Sequence, residues 1–194
     1  YDITPEEFAS YVADMTNYGI RVVGGCCGTN PEYIKATIKK LSTIHPNVEK
    51  KEIPSAVCSS SKTVVINQPR IIGERINPTG KKRFKEALKN NDLDYILGQA
   101  IEQAQGGAEI LDVNVGLPGI DEKEMMIKTV KALQGVTNLP LQLDSTIPEV
   151  LEAALRVYNG KAIVNSVNGE EESLKNVLPI VKKYGAAVVG LTLD

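Results

Sequence analysis

The sequence predicts an α/β protein, a parallel sheet covered by helices that curves as an incomplete (β/α)8 TIM barrel. Three observations lead there. Short, nearly continuous apolar runs recur through the later part of the 194-residue chain, and amphipathic helical patterns separate them. Each run also delivers an acid or an amide at its carboxyl end. Strands apolar on both faces need cover on both faces, which β/α units supply. An open doubly wound sheet uses its strand ends at one crevice, whereas polar ends on five successive strands fit a closing ring.

The first element is a helix over residues 4–17. Thr4 is its N-cap, Pro5 fits the first turn, and Glu7 stands three residues after the cap. Phe8, Tyr11, Val12 and Met15 give the apolar stripe, and Gly19 ends it. Ile20-Arg21-Val22-Val23 reads as a short strand entering Gly24-Gly25-Cys26-Cys27-Gly28-Thr29. Thr29 or Asn30, followed by Pro31, starts a second helix that carries Ile34, Ile38 and Leu41 on one side. Residues 42–69 change character. Pro46, Pro54 and Pro69 punctuate them and Ser55 to Ser61 is small and polar, so this stretch reads as a linker with a short strand at Val64–Ile66.

Repetition begins at Arg70. Strands are predicted at Arg70–Arg75, Glu109–Val113, Pro140–Leu143, Ala162–Asn165 and Ala186–Leu193. Between them, Asp92–Gln105 carries Leu93, Ile96, Leu97, Ala100, Ile101 and Ala104 on one face, and Asp121–Gln134 carries Met126, Ile127, Val130 and Leu133. Pro148–Tyr158 and Glu171–Tyr184 repeat the pattern with Leu151, Ala154, Leu155, Tyr158 and with Leu174, Val177, Leu178, Val181. The polar strand ends are Glu74 to Asn77, Asp112 to Asn114, Asp144-Ser145, Asn165 to Asn168, and Asp194. Five strands do not close an eight-stranded ring. The expectation is a chain incomplete at both ends, with no catalysis in isolation.

Composition narrows the function. The 22 Lys and Arg nearly balance 24 Asp and Glu, a net charge of -2, which predicts neither a nucleic-acid nor an anionic-membrane partner. There is no apolar run of bilayer length and no signal-peptide character in Tyr1-Asp2-Ile3-Thr4. Three cysteines, two of them adjacent, make no disulfide framework, so a reducing, cytoplasmic compartment is expected.

Asp112, Asp144 and Asn165 suit a flat heterocycle with amide-like edges. A carboxylate accepts paired bonds from a ring N–H and an exocyclic amine, and Asn donates and accepts. No Gly-x-Gly-x-x-Gly or Gly-Lys-Ser/Thr run is present, which argues against dinucleotides and triphosphates. The structural alternative is that these residues cap helices, a role that fits Ser145 before Pro148 and Asp121 before its helix. Cys26 and Cys27 are candidate zinc ligands on a glycine-rich turn, or else small buried apolar groups. Two thiolates fill half of a tetrahedron, so a third ligand must come from elsewhere. Cys58, among serines, and His45, past a helix, are read as bystanders.

Val23-Gly24-Gly25-Cys26-Cys27-Gly28-Thr29-Asn30-Pro31 resembles the last zinc-binding strand end of homocysteine S-methyltransferase barrels. Ile72-Gly73-Glu74-Arg75-Ile76-Asn77-Pro78-Thr79-Gly80, Leu111-Asp112-Val113-Asn114-Val115-Gly116, Gln142-Leu143-Asp144-Ser145 and Asn165-Ser166-Val167-Asn168-Gly169-Glu170-Glu171 resemble the pterin-binding, methyltetrahydrofolate barrel of the cobalamin-dependent methionine synthase family. The resemblance implies three regions: residues 1–43 as the end of a homocysteine and zinc barrel, 44–69 as linker, and 70–194 as the first part of the pterin barrel. It implies pterin contacts from Asn77, Asp112, Asn114, Asp144, Asn165 and Asp194, with Asn165 and Asp112 nearest the chemistry. It further implies zinc on Cys26 and Cys27 with a third cysteine outside this chain, and 5-methyltetrahydrofolate as methyl donor. Homocysteine would be the acceptor, and methylcobalamin would be carried by a cobalamin-binding domain absent from this chain. Dihydropteroate synthases share the pterin barrel, but the Arg75 to Gly80 run and the preceding Cys-Cys segment argue against that activity. A methyltransferase serving a corrinoid iron–sulfur protein, or a non-catalytic pterin-binding module, are the other readings.

Overall fold

A computed structural model describes residues 2–45 and 52–192, so Asp194 and Pro46 lie outside the described residues. The chain divides into two compact units, Tyr1–Ile53 and Pro54–Asp194.

In the first unit, α1 (Pro5–Met15) opens with the capping box that Thr4 and Glu7 predict. The Glu7 side chain accepts from the Thr4 amide at 2.9 Å, and the Thr4 hydroxyl accepts from the Glu7 amide at 3.3 Å. A 3-10 turn at Thr16–Tyr18 follows, closed by Gly19. Asn30 caps α2 (Pro31–Leu41), its Oδ1 accepting from the Glu32 amide at 2.9 Å. The helices pack through Phe8 and Tyr33, edge to face at 5.7 Å, over buried Ala9, Val12 and Ala13. The strand expected at Ile20–Val23 does not form. No strand stands beside it among the described residues of this unit, and Val22 is 90% exposed. A β-branched run alone does not make a strand without a partner to take its backbone hydrogen bonds.

The second unit begins with a hairpin inside the stretch read as linker. β1 (Ala56–Cys58) pairs antiparallel with β2 (Thr63–Val65). Four β/α steps and a fifth strand follow: β3 (Ile72–Ile76), α3 (Lys82–Lys89), α4 (Leu93–Gln105), β4 (Ile110–Val113), α5 (Glu122–Val136), β5 (Leu141–Asp144), α6 (Pro148–Val157), β6 (Ile163–Val167), α7 (Glu171–Tyr184) and β7 (Ala187–Gly190). The sheet runs β3-β4-β5-β6-β7 with every neighbouring pair parallel. Sequential parallel strands with intervening helices are the arrangement of part of a (β/α)8 barrel. Helix α3 was not among the expected elements: its N-cap, Lys81, makes no side-chain cap bond, and Phe84, Ala87 and Leu88 supply only one apolar patch.

Alternation along the strands sorts side chains into two sets. Leu111, Val113, Leu141, Leu143 and Val164 join Ile96, Met126, Leu133, Leu151 and Val181 of the helices in the main core. Ile110 and Ile163 point the other way and pack with Val57 and Val64 of the hairpin, backed by Ala187 and Val189. The hairpin thus floors the inner face at the amino ends of the strands. It is tied there by Cys58 and Lys161, whose backbones exchange hydrogen bonds of 3.0 and 2.9 Å. Tyr158 adds a clamp, its hydroxyl accepting from the Leu141 amide at 3.1 Å and donating to the Cys58 carbonyl at 3.0 Å. Among the described residues no helix is long and apolar enough to cross a membrane.

Candidate functional site

Above the apolar floor the inner face turns polar, two residues further along each strand. Period two carries Ile110 to Asp112 and then Asn114, Gln142 to Asp144, and Ile163 to Asn165. Register sets these side by side: Asp112 is opposite Gln142, and Asp144 opposite Asn165. Gln142 Nε2 donates to Asp112 Oδ1 at 2.6 Å. Asn114 Nδ2 donates to Asp144 Oδ2 at 2.9 Å, while Asn114 Oδ1 accepts from the Gly116 amide at 2.9 Å. Each carboxylate is therefore aimed by an amide on the neighbouring strand.

Asp112 is buried, 3% exposed. Burial raises its carboxyl from the ordinary 3.8 to about 6, and the negative charges of Asp144 and Glu74 act in the same sense. The amides of Gln142 and Asn165 favour the anion and oppose that rise. Among the described residues no cation pairs with Asp112, and a buried acid held only by amides is prepared to accept N–H donors from a ligand.

The other expected site residues fall as follows. Asn77 is buried just past β3, and its Oδ1 accepts from the Thr79 amide at 2.8 Å, so it also shapes the turn. The Asn114 amide donates to the Ile76 carbonyl at 2.9 Å, which sets Asn77 beside the polar rung. Asp194 lies outside the described residues. Asp121 caps its helix as anticipated, its Oδ1 accepting from the Glu124 amide at 2.9 Å. Ser145 does not cap α6, whose N-cap is Ile147 with no side-chain cap bond; its Oγ instead accepts from the Ile147 amide in the preceding loop at 3.1 Å. Ser145 also donates to Glu122 at 2.6 Å. A cleft of about 650 Å³ opens between the loops after β4 and β5, lined by Asn114, Gly116, Leu117, Glu122, Ser145 and Ile147 among others. Asn114 thus connects cleft and rung.

Gln142 was not singled out from the sequence as a site residue. The available signal was its period-two spacing from Asp144 in an otherwise apolar strand, Leu141-Gln142-Leu143-Asp144.

In the first unit Cys26 and Cys27 are free and exposed, which sets aside their reading as buried apolar groups. Their sulfurs stand 3.8 Å apart. That is about the edge of a tetrahedron of thiolates around zinc, given Zn–S bonds near 2.3 Å. Among the described residues no group of three or more His, Cys, Asp or Glu is gathered to complete such a site. Cys58 sits in β1, where its Sγ accepts from the Lys161 amide at 3.3 Å, and His45 is exposed.

Comparison with known proteins adds the following. Residues 73–194 match the family described as pterin binding enzyme, and residues 1–41 match homocysteine S-methyltransferase. The methionine synthases of Mycobacterium leprae (strain TN) and Mycobacterium tuberculosis (strain ATCC 25618 / H37Rv) are each 34% identical, over 100% of this chain and 17% of their own length. The chain therefore spans about a sixth of these relatives. Among solved structures, Xanthomonas albilineans dihydropteroate synthase with 4-aminobenzoic acid is 20% identical with a TM-score of 0.52, over 69% of this chain and 48% of that one. Yersinia pestis dihydropteroate synthase with a pterine-sulfa conjugate is 18% identical with a TM-score of 0.51, over 72% and 50%. At these identities the likeness is one of fold alone.

Proposed function

The chain belongs to the pterin-binding enzyme family, and from that premise we propose that its polar rung holds the pterin ring of 5-methyltetrahydrofolate. The protein is then part of a methyltransferase that moves the methyl group of that folate, by way of cobalamin, to homocysteine to give methionine. The single observation that carries the reading is the pairing of Asp112 and Asp144 on adjacent strands, each carboxylate aimed by a neighbouring amide. The likeness of the whole chain to the mycobacterial methionine synthases supports it.

In this reading Asp112 binds as the anion and accepts paired hydrogen bonds from the ring and its exocyclic amine. Asp144, steadied by Asn114, takes a second edge, and Asn77 and Asn165 complete the polar contacts. Asn165 lies beside Asp112 and assists delivery of a proton near N5, without which a tertiary amine is a poor leaving group. Asp194 is a further proposed contact. Cobalamin, held by another domain of a longer protein, would supply the methyl-carrying chemistry. Cys26 and Cys27, with a further cysteine from outside this chain, would hold zinc, which would supply positive charge favouring the thiolate of homocysteine. Residues 1–43 are then the end of the homocysteine and zinc barrel and residues 70–194 the first part of the pterin barrel, in a protein of the cytoplasm; of the stretch 44–69 read as linker, the hairpin belongs with the pterin barrel.

Calorimetric titration of the chain with 5-methyltetrahydrofolate tests the reading. Asp112→Asn and Asp144→Asn are each expected to weaken binding more than about tenfold, since removing one partner of a buried charged hydrogen bond costs roughly 2–5 kcal/mol. Unchanged affinity in both variants, with the fold intact, removes them from the site.

A further inference from the structure

Strand β3 carries an extra residue. Ile72 pairs with Ile110 and Gly73 with Leu111, but the next pairing is Ile76 with Val113. Glu74 and Arg75 therefore stand together against Asp112, which is a β-bulge. Its effect is on facing. Ile72 shares the inner face with Ile110, so unbroken alternation would turn Ile76 inward and Asn77 outward. The bulge reverses both. Ile76 enters the main core, and the next residue, Asn77, falls level with Asn114 on the inner side. Gln103 of α4 reaches the bulge from the outer side. Its Oε1 accepts from the Arg75 amide at 2.7 Å and its Nε2 donates to the Gln99 carbonyl at 3.1 Å, so a donor and an acceptor fix the amide in one orientation. The side chain is buried, and Gly73 leaves it room, since a Cβ there would stand 2.6 Å from Oε1.

We propose that Gln103 is a positioning residue of this site: by taking the Arg75 amide it holds the extra residue in β3 and so keeps Asn77 turned toward the ligand. The inference rests on the pterin reading above, in which Asn77 is a contact. Gln103 touches no ligand itself, because it stands on the helix side of the sheet. Ile76 also resists straightening of β3, since that change would pull it from the core. Core packing alone fixes which face Asn77 is on; the directional bond from Gln103 fixes how closely it is aimed. Aim matters because a polar contact displaced by a fraction of its length loses most of its worth.

The test is a double-mutant cycle on the chain, read by calorimetric titration with 5-methyltetrahydrofolate. Asn77→Ala and Gln103→Leu are each expected to weaken binding about tenfold, and the double variant to lie within about twofold of Asn77→Ala alone. Gln103→Glu keeps an oxygen for the Arg75 amide and should stay within about threefold of wild type. If Gln103→Leu does not fold, Gly73→Ala takes its place in the cycle with the same expectations, because its Cβ displaces the same oxygen by moving only the end of a flexible side chain. A Gln103 that merely stabilised the fold would weaken binding equally with and without Asn77, so losses that add in full overturn the inference. Wild-type affinity in Gln103→Leu overturns it too, as does unaltered affinity in Asn77→Ala or a Gln103→Glu variant no tighter than Gln103→Leu. In each of these cases binding that still weakens in Asp112→Asn leaves the pterin reading standing. Failure of the wild-type chain to bind 5-methyltetrahydrofolate overturns the reading and the inference together.

Discussion

A single carboxyl shows how binding and stability oppose each other. Unfolded, Asp112 gives up its proton near 3.8; folded, it holds it to about 6. Between those values unfolding releases a proton, so stability falls as pH rises through that window, and the full penalty stands above about 6. It amounts to at most about 3 kcal/mol. Asp112→Asn keeps an oxygen for Gln142 Nε2 and removes the charge, so urea melts of the ligand-free variant at neutral pH are expected to show a gain of roughly 1–3 kcal/mol. The gain should vanish toward pH 4. A variant less stable than wild type at neutral pH would contradict the assigned cost of this buried charge. The placement of Asp112 and Asp144 on the inner face was legible because acids are conspicuous at the end of apolar runs. Gln142 was not, because a neutral amide within Leu141-Gln142-Leu143 carries no charge signal and its meaning lies in the strand beside it.

At the scale of elements, two close approaches hold the second unit together. A Cβ on Gly73 would stand 2.6 Å from Gln103 Oε1, the atom that accepts from the Arg75 amide at 2.7 Å where β3 shifts register against β4. A Cβ on Gly160 would overlap the Cys58 carbonyl, where the hairpin passes directly over the chain entering β6. Gly160→Ala must therefore push hairpin and sheet apart, and thermal melts are expected to show a loss of several kcal/mol, on the order of 2–4. Tyr158→Phe leaves the buried Leu141 amide without its acceptor and should cost roughly 1–3 kcal/mol. A melting temperature unaltered in both variants would mean that the hairpin does not contribute to the unit's cooperativity. The parallel strands and longer helices were readable from period alone, since each repeats its pattern over a stretch long enough to count. Of the hairpin only the second strand was, expected at Val64–Ile66 and found at Thr63–Val65; the strand Ala56–Cys58 was not, because it is three residues long and Val57 becomes core only against Ile110 and Ile163. Ile20–Val23 failed in the opposite sense, with the right residues and no neighbouring strand among the described residues.

For the molecule as a whole, the first unit bears on metal binding and the second on the order of folding. The cysteine pair has the spacing of two zinc ligands and no third side chain among the described residues. Elemental analysis after dialysis is expected to find less than about 0.2 zinc per chain, and stoichiometric zinc lost on Cys26→Ser would refute that. Order of synthesis matters to the second unit. The hairpin emerges first, yet its partner Lys161 lies 103 residues later in sequence. At ordinary translation speeds the floor waits roughly 5–20 s for its walls, with two valines exposed to whatever is near. A ribosome paused between them would hold a sticky nascent chain, which makes this interval the moment when a chaperone has most to do.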